Sequence, residues 1–176
     1  GKTKEVLEVL RRNNVKATFF LVGEWVEAYP QLARSIVDDG HEIGNHSYSH
    51  PDFTQISSEE IKTDIRRGEE AIRRVMGVET CPLLRYPYGY FNDQVRAAAG
   101  SAGYGCSIQW SIDPRDWEDP PLELILSRVL LPAQAGDIVL LHSYGENTPH
   151  ATDFIIHALA AKGFRFVTVS EFIPII

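Results

Sequence analysis

Cysteine is scarce in this chain, with two in 176 residues, and methionine scarcer still, with one. Cys81 and Cys106 are too few for a disulfide scaffold, and nothing in their spacing calls for a bridge between them. Concentrated positive charge is missing as well. Basic runs stop at pairs such as Arg11-Arg12, Arg66-Arg67 and Arg73-Arg74, and 17 Lys and Arg face 24 Asp and Glu for a formal net charge of -7. A groove for nucleic acid needs basic residues to displace counterions, so nucleic acid is not an expected partner. Long hydrophobic runs are also lacking. The apolar stretches at 138–141 and 172–176 fall far short of the roughly 20 residues of a spanning helix, so no transmembrane segment is expected. No basic-then-apolar leader precedes Lys2, so a signal peptide is expected to be absent from these residues or already removed.

What remains is ordinary globular material, 44% hydrophobic and 23% charged. At about 150 residues per domain the length points to one domain, long enough to bury a core without disulfides or a structural metal. Helical stripes are expected over 4–12, from about Glu24, and over 30–37, 57–76, 92–100, 122–130 and 152–161. Thr3 is a candidate cap for the first, and Ser57-Ser58-Glu59-Glu60 opens the fourth with acidic residues where the helix dipole favours them. Short apolar strands are expected at 15–22, 42–44, 83–85, 104–110, 137–141 and 164–168. Helices and strands therefore alternate without a long polar linker, the pattern of parallel strands covered by helices. Six or seven units are fewer than the eight of a full barrel, which implies an open sheet or a reduced, distorted barrel.

In such folds function collects at the C-terminal ends of strands, and four polar clusters sit there. In His46-Ser47-Tyr48-Ser49-His50, a helical turn would place both imidazoles on one face, able to share a metal; a surface loop with incidental histidines is the bland alternative. Arg85-Tyr86-Pro87-Tyr88-Gly89 combines an arginine able to grip a carboxylate with a Pro-Gly turn able to present a backbone N–H, or is a packed aromatic turn. Asp113-Pro114-Arg115-Asp116-Trp117 could orient a histidine or line a groove, although alone it reads best as an Asx turn. His142, ending the apolar run Leu140-Leu141, is placed to act as an acid or base, or is a satisfied structural histidine. His41, His150 and His157 have weaker claims.

The order and spacing of these clusters resembles the polysaccharide deacetylases of the NodB-homology type, carbohydrate esterase family four. The resemblance starts at Lys16-Ala17-Thr18-Phe19-Phe20 and Gly40-His41-Glu42-Ile43-Gly44-Asn45-His46. It continues through the four clusters to Gly163-Phe164-Arg165-Phe166-Val167 and so covers nearly the whole chain. It implies an α/β fold, a distorted (β/α) barrel of seven or eight strands. It also implies metal-dependent removal of N-acetyl groups from a glycan such as peptidoglycan or a chitin-like polymer, outside the cytoplasm. A divalent metal, usually zinc with cobalt or nickel as alternatives, is held in the family by an Asp and two histidines that match His46 and His50. By the same match Arg85 anchors the catalytic base, and the Tyr88 backbone N–H stabilises the oxyanion. Trp117 and Leu140 line the substrate groove, and His142 is the general acid, oriented by a carboxylate for which Asp116 is favoured over Asp113.

The departure from the family is the Thr-Phe-Asp-Asp-Gly motif, which members carry at the end of the first strand, just before the helix matching 4–12. One of its aspartates is the base and the next the third metal ligand, and neither is found there. Asp38-Asp39-Gly40 has the right letters but follows a helix and precedes the second motif, so it does not carry over. The expectation is a single deacetylase domain over 1–176, N-terminally incomplete with its first strand missing and by itself inactive. Two alternatives stand beside it: a pseudoenzyme that binds glycan without turnover, and an esterase acting on acetylated xylan.

Overall fold

The computed structural model describes residues 1–80 and 82–173. Cys81 lies outside the described residues, and Cys106 is a free, exposed thiol. The regular elements in chain order are α1 (Thr3–Arg12), β1 (Thr18–Leu21), α2 (Gly23–Ala28), α3 (Pro30–Asp38), β2 (Glu42–Asn45), α4 (Ser58–Met76), α5 (Asp93–Ser101), α6 (Leu122–Leu130), α7 (Thr148–Ala161) and α8 (Val169–Phe172). They form two compact units, one of residues 18–109 and one of Gly1–Ala17 with the described part of Trp110–Pro174. No helix of the described residues is long and apolar enough to cross a membrane.

In the unit of residues 18–109, β1 and β2 pair in parallel with Thr18 opposite Glu42 and Leu21 opposite Asn45. The sheet continues through single parallel bridges, Asn45 with Leu84 and Leu84 with Ser107. The strands expected at 83–85 and 104–110 are thus each one bridge wide. Close approach is enforced at Gly44, where a Cβ would stand 2.6 Å from the Phe20 ring. Helix α4 covers the sheet. Ser57 and Glu60 cap it reciprocally, and Gly77 ends it in the left-handed conformation at φ 73°, which a residue without Cβ adopts at no steric cost. Its apolar face, Ile61 and Ile65, packs with Phe53, Leu84, Tyr86, Val95 and Tyr104 into a buried core.

In the other unit, Ile112 bridges Val139 in parallel. The Leu140 N–H donates to the Ile112 carbonyl at 2.9 Å, which fixes the approach to His142. Ile112, Ile125, Val129, Ala151, Ile155 and Leu159 form the core beneath α6 and α7. Three expectations are corrected here. Residues 164–168 alternate half-buried and exposed as a strand would, and Phe164 and Phe166 pack on the core, but the segment joins no ladder among the described residues. Helix α7 begins at Thr148, four residues before the expected start, because Pro149 fits the first helical turn, where its missing N–H costs nothing. Thr3 does not cap α1 but lies inside it, and its hydroxyl donates to Ser143 Oγ at 3.0 Å.

Phe53 is fully buried at the centre of the first core. Phe53→Ala is expected to lose about 3–5 kcal/mol in urea unfolding. A loss below about 1 kcal/mol would mean the site collapses around the cavity.

Candidate active site

The site residues expected from sequence fall into two groups, one in each unit. The first centres on His46 and His50. They do not lie on a helical turn. They follow β2 in an irregular bend in which Ser47 and His50 both take left-handed backbone angles, φ 71° and 57°. The bend nevertheless brings the two imidazoles together, with ring centroids 4.8 Å apart and the rings edge to face. His46 Nδ1 lies 2.8 Å from the Arg85 carbonyl oxygen. A carbonyl can only accept, so Nδ1 carries a proton, and in the neutral ring Nε2 is then the lone-pair nitrogen. That is the arrangement by which a histidine is oriented as a metal ligand.

The bend is held from below by residues that belong to none of the four polar clusters or lie between the histidines of the first. Fully buried Ser47 donates its N–H to Asn45 Oδ1 at 2.8 Å, and its hydroxyl accepts the His50 N–H at 2.9 Å. Asn45 Nδ2 donates to the Ile65 carbonyl and to the Tyr104 hydroxyl, each at 2.9 Å. Tyr104 in turn donates to Glu69, which also accepts from the Thr80 hydroxyl and, at 3.0 Å, from its N–H. Burial acts to raise the Glu69 carboxyl, but the Thr80 and Tyr104 hydrogen bonds outweigh it and hold the group below the usual glutamate range. Asp64 accepts from the Tyr48 N–H at 2.8 Å, and from the Ser49 N–H at 3.3 Å and hydroxyl at 2.7 Å. One signal was present in the sequence: Asp64 and Gly68 interrupt the otherwise apolar face of α4.

Arg85 is buried, and its guanidinium donates to the Ile108 carbonyl at 2.9 Å and the Gln109 carbonyl at 3.1 Å, 4.2 Å over the Phe20 ring. Burial pushes it down to about 10. The expected grip on a carboxylate is thus replaced in part by two backbone carbonyls. Tyr88 takes φ 57° inside the short turn Pro87–Gly89, and its ring lies edge to face on His50 at 4.6 Å.

The second group centres on His142. Asp116 is fully buried and accepts three hydrogen bonds: from the His142 N–H at 2.7 Å, His142 Nδ1 at 2.9 Å and the Thr148 hydroxyl at 2.6 Å. A buried carboxylate needs such saturation to offset its lost hydration. Asp113 is engaged elsewhere, accepting the Arg115 N–H at 2.8 Å in an Asx turn. Gly145 closes over the pair, since a Cβ there would stand 2.7 Å from both the Asp116 carbonyl oxygen and Thr148 Oγ1. With Nδ1–H spent on Asp116, the ring's Nε2 is the atom that can hold or release a proton, and the side chain is 28% exposed. Leu140 is buried. Trp117, under the Arg115 guanidinium at 5.4 Å, remains 42% exposed on a turn flanked by left-handed Arg115 and Asp119. Thr148 had no sequence signal.

Comparison with known proteins places these features. The family model described as polysaccharide deacetylase matches residues 1–107. The peptidoglycan-N-acetylglucosamine deacetylase of Bacillus cereus is 40% identical over 173 residues, 96% of this chain and 80% of that protein. The chain belongs to the polysaccharide deacetylase family. Among solved structures, a pseudoenzyme of carbohydrate esterase family 4 from Bacillus anthracis superposes with TM-score 0.91 at 34% identity, over 97% of this chain and 60% of that one. A mutant of that pseudoenzyme with restored enzymatic activity matches with the same TM-score and identity, over 97% of this chain and 62% of that one. This chain therefore spans about three-fifths of the length of those solved chains. The mixed α/β fold, with its small parallel sheet and covering helices, is the distorted (β/α) barrel type of the polysaccharide deacetylases. Asp38-Asp39-Gly40 does not stand in for the family's aspartate motif: Asp38 ends α3, Asp39 caps it, and Gly40 turns away at φ 76°.

Gly68 is the tightest point under the histidine bend, where a Cβ would meet the Ser47 carbonyl oxygen at 2.7 Å and Asn45 Oδ1 at 2.8 Å. Gly68→Ala is expected to cost about 1–3 kcal/mol of stability. It is also expected to shift the His46 and His50 imidazole signals in NMR, and unchanged signals would show that the bend does not depend on this contact.

Proposed function

We propose that residues 1–176 form a single domain of this family that binds an acetylated glycan without turning it over. The observation that carries this reading is the ligand set. His46 and His50 meet, yet among the described residues no group of three or more His, Cys, Asp or Glu side chains is placed to hold a metal ion. A catalytic zinc site uses three protein ligands and keeps one position for water. The histidine pair suits two of those positions, the His46 Nε2 lone pair being directed by the bond to the Arg85 carbonyl. A metal bound there with a full ligand set would polarise the acetyl carbonyl and activate water. The likeness to a pseudoenzyme supports binding without turnover, and the names of the relatives support N-acetylated cell-wall glycan as the ligand, which would place the protein outside the cytoplasm.

One observation favours a second reading, a metal-dependent N-deacetylase. The Asp116 clasp fixes the His142 tautomer and directs Nε2 outward, where it can give a proton to a leaving amine. A surface that only binds has no need of that device. In this reading Arg85, the Tyr88 backbone N–H, Trp117 and Leu140 take the roles that their counterparts have in the family.

The two readings separate in one experiment. The protein is incubated with zinc or cobalt and with peptidoglycan, N-acetylated chitin hexamer or acetylated xylan, and acetate is measured alongside binding. Binding is expected to N-acetylated glycan, with acetate at the blank level and zinc held far more weakly than by a three-ligand site. Acetate release that His142→Ala abolishes would overturn the binding-only reading and select the deacetylase. Release from xylan alone would select the esterase.

A further inference from the structure

Three aromatic side chains on one short loop remain unused by the metal or proton chemistry. Tyr88 and Tyr90 are each 56% exposed, and Phe91 is 49% exposed. Large apolar side chains scattered singly on a surface need no explanation, but three on one short loop, two of them stacked on each other, do. The rings form a ladder that starts at the histidine pair. His46 and His50 are 4.8 Å apart, His50 and Tyr88 4.6 Å, and Tyr88 stacks beside Tyr90 at 5.7 Å with 30° between their planes.

The loop is held stiffly. Phe91 is anchored by Tyr86, 3% exposed, at 5.8 Å and by the Arg96 guanidinium at 5.9 Å. Gly89 N–H and Tyr90 N–H donate back to the Tyr86 and Pro87 carbonyls, and the Gln109 carboxamide donates to the Gly89 carbonyl at 3.3 Å. Tyr90 thus offers a large, pre-positioned contact area at small entropic cost, with a hydroxyl at its rim. Residues 86–92, Tyr-Pro-Tyr-Gly-Tyr-Phe-Asn, contain no Lys, Arg, Asp or Glu. The aromatic segment therefore suits a ligand with an apolar face and a hydroxylated edge, which describes a pyranose ring.

We infer that Tyr90, supported by Tyr88, is a sugar-binding platform for the residue of the glycan chain next to the one held at His46 and His50, which makes it the determinant of preference for oligomers over single sugars. This rests on the glycan-binding reading above. Tyr90 lies beyond Tyr88 on the ladder from the histidine pair, so a single N-acetylhexosamine at the pair would leave it uncovered, whereas an oligomer would extend onto it. No negative charge is asked of the ligand, and both units of the repeat need only present a C–H face.

The test compares binding of N-acetylated chitin hexamer and of monomeric N-acetylglucosamine to the full chain and to Tyr90→Ala and Tyr90→Phe, followed by NMR shift titration. Tyr90→Ala is expected to weaken hexamer binding roughly three- to tenfold and leave monomer binding unchanged, while Tyr90→Phe keeps hexamer affinity. Unchanged hexamer affinity in Tyr90→Ala, or equal losses for hexamer and monomer, would overturn the platform while leaving the glycan-binding reading intact. Failure of the unsubstituted chain to bind hexamer would overturn both.

Discussion

Asn45 is fully buried at the end of β2, and both polar ends of its carboxamide are engaged. Its nitrogen donates to the Ile65 carbonyl and the Tyr104 hydroxyl, and its oxygen accepts the Ser47 N–H. The whole histidine bend hangs from this group. Because donors and acceptor are all fixed, the amide has one orientation, and that orientation places Ser47, whose hydroxyl then places His50. On the far side, Tyr104 and Thr80 converge on Glu69, so the chain of hydrogen bonds runs from a half-buried carboxylate to the His50 backbone N–H. A fully satisfied buried network of this kind rigidifies what it supports, and losing one member strands the others without partners. The left-handed angles at Ser47 and His50 are sustained against their steric cost by this network and by the Asp64 carboxylate beneath the same bend.

The two units use one chemical device twice. His46 commits Nδ1–H to a backbone carbonyl, and His142 commits Nδ1–H to the Asp116 carboxylate. Each bond selects the nitrogen that carries the proton, Nδ1. The partners differ in a way that suits different tasks. A neutral carbonyl leaves an imidazole suited to donating a lone pair, whereas a carboxylate stabilises the ring once it carries a second proton. The same backbone logic recurs at Gly145 and Gly68, where the absence of a Cβ lets main chain pass directly over Asp116 and under Ser47.

Much of the architecture was legible in the periodicity, because apolar stripes and short apolar runs report burial directly. Helix α4, expected over 57–76 and opening at the Ser57 cap, is legible nearly to the residue. The segment at 164–168 was misread because alternation reports which side chains are buried, and says nothing of whether a ladder partner exists. The histidine spacing was legible as a pair, while the irregular bend that brings the rings together was not, since left-handed residues at Ser47 and His50 leave no mark that composition reveals. Asp116 could be favoured over Asp113 only through the family resemblance, because an Asx turn and a histidine clasp use the same residue type, here three positions apart. Asn45, Tyr104 and Glu69 come from three distant segments, and only folding makes them neighbours.

The His46 tautomer is the most direct point of test, since the proposed reading of the bend needs Nδ1–H directed at the Arg85 carbonyl. A long-range proton–nitrogen NMR correlation of the imidazoles, recorded before and during zinc addition, reads that state at each ring. The prediction is Nδ1–H for His46 in the free protein, with zinc perturbing its Nε2 together with His50. Nε2–H on His46, or zinc that moves other histidines and leaves these two unchanged, would contradict it.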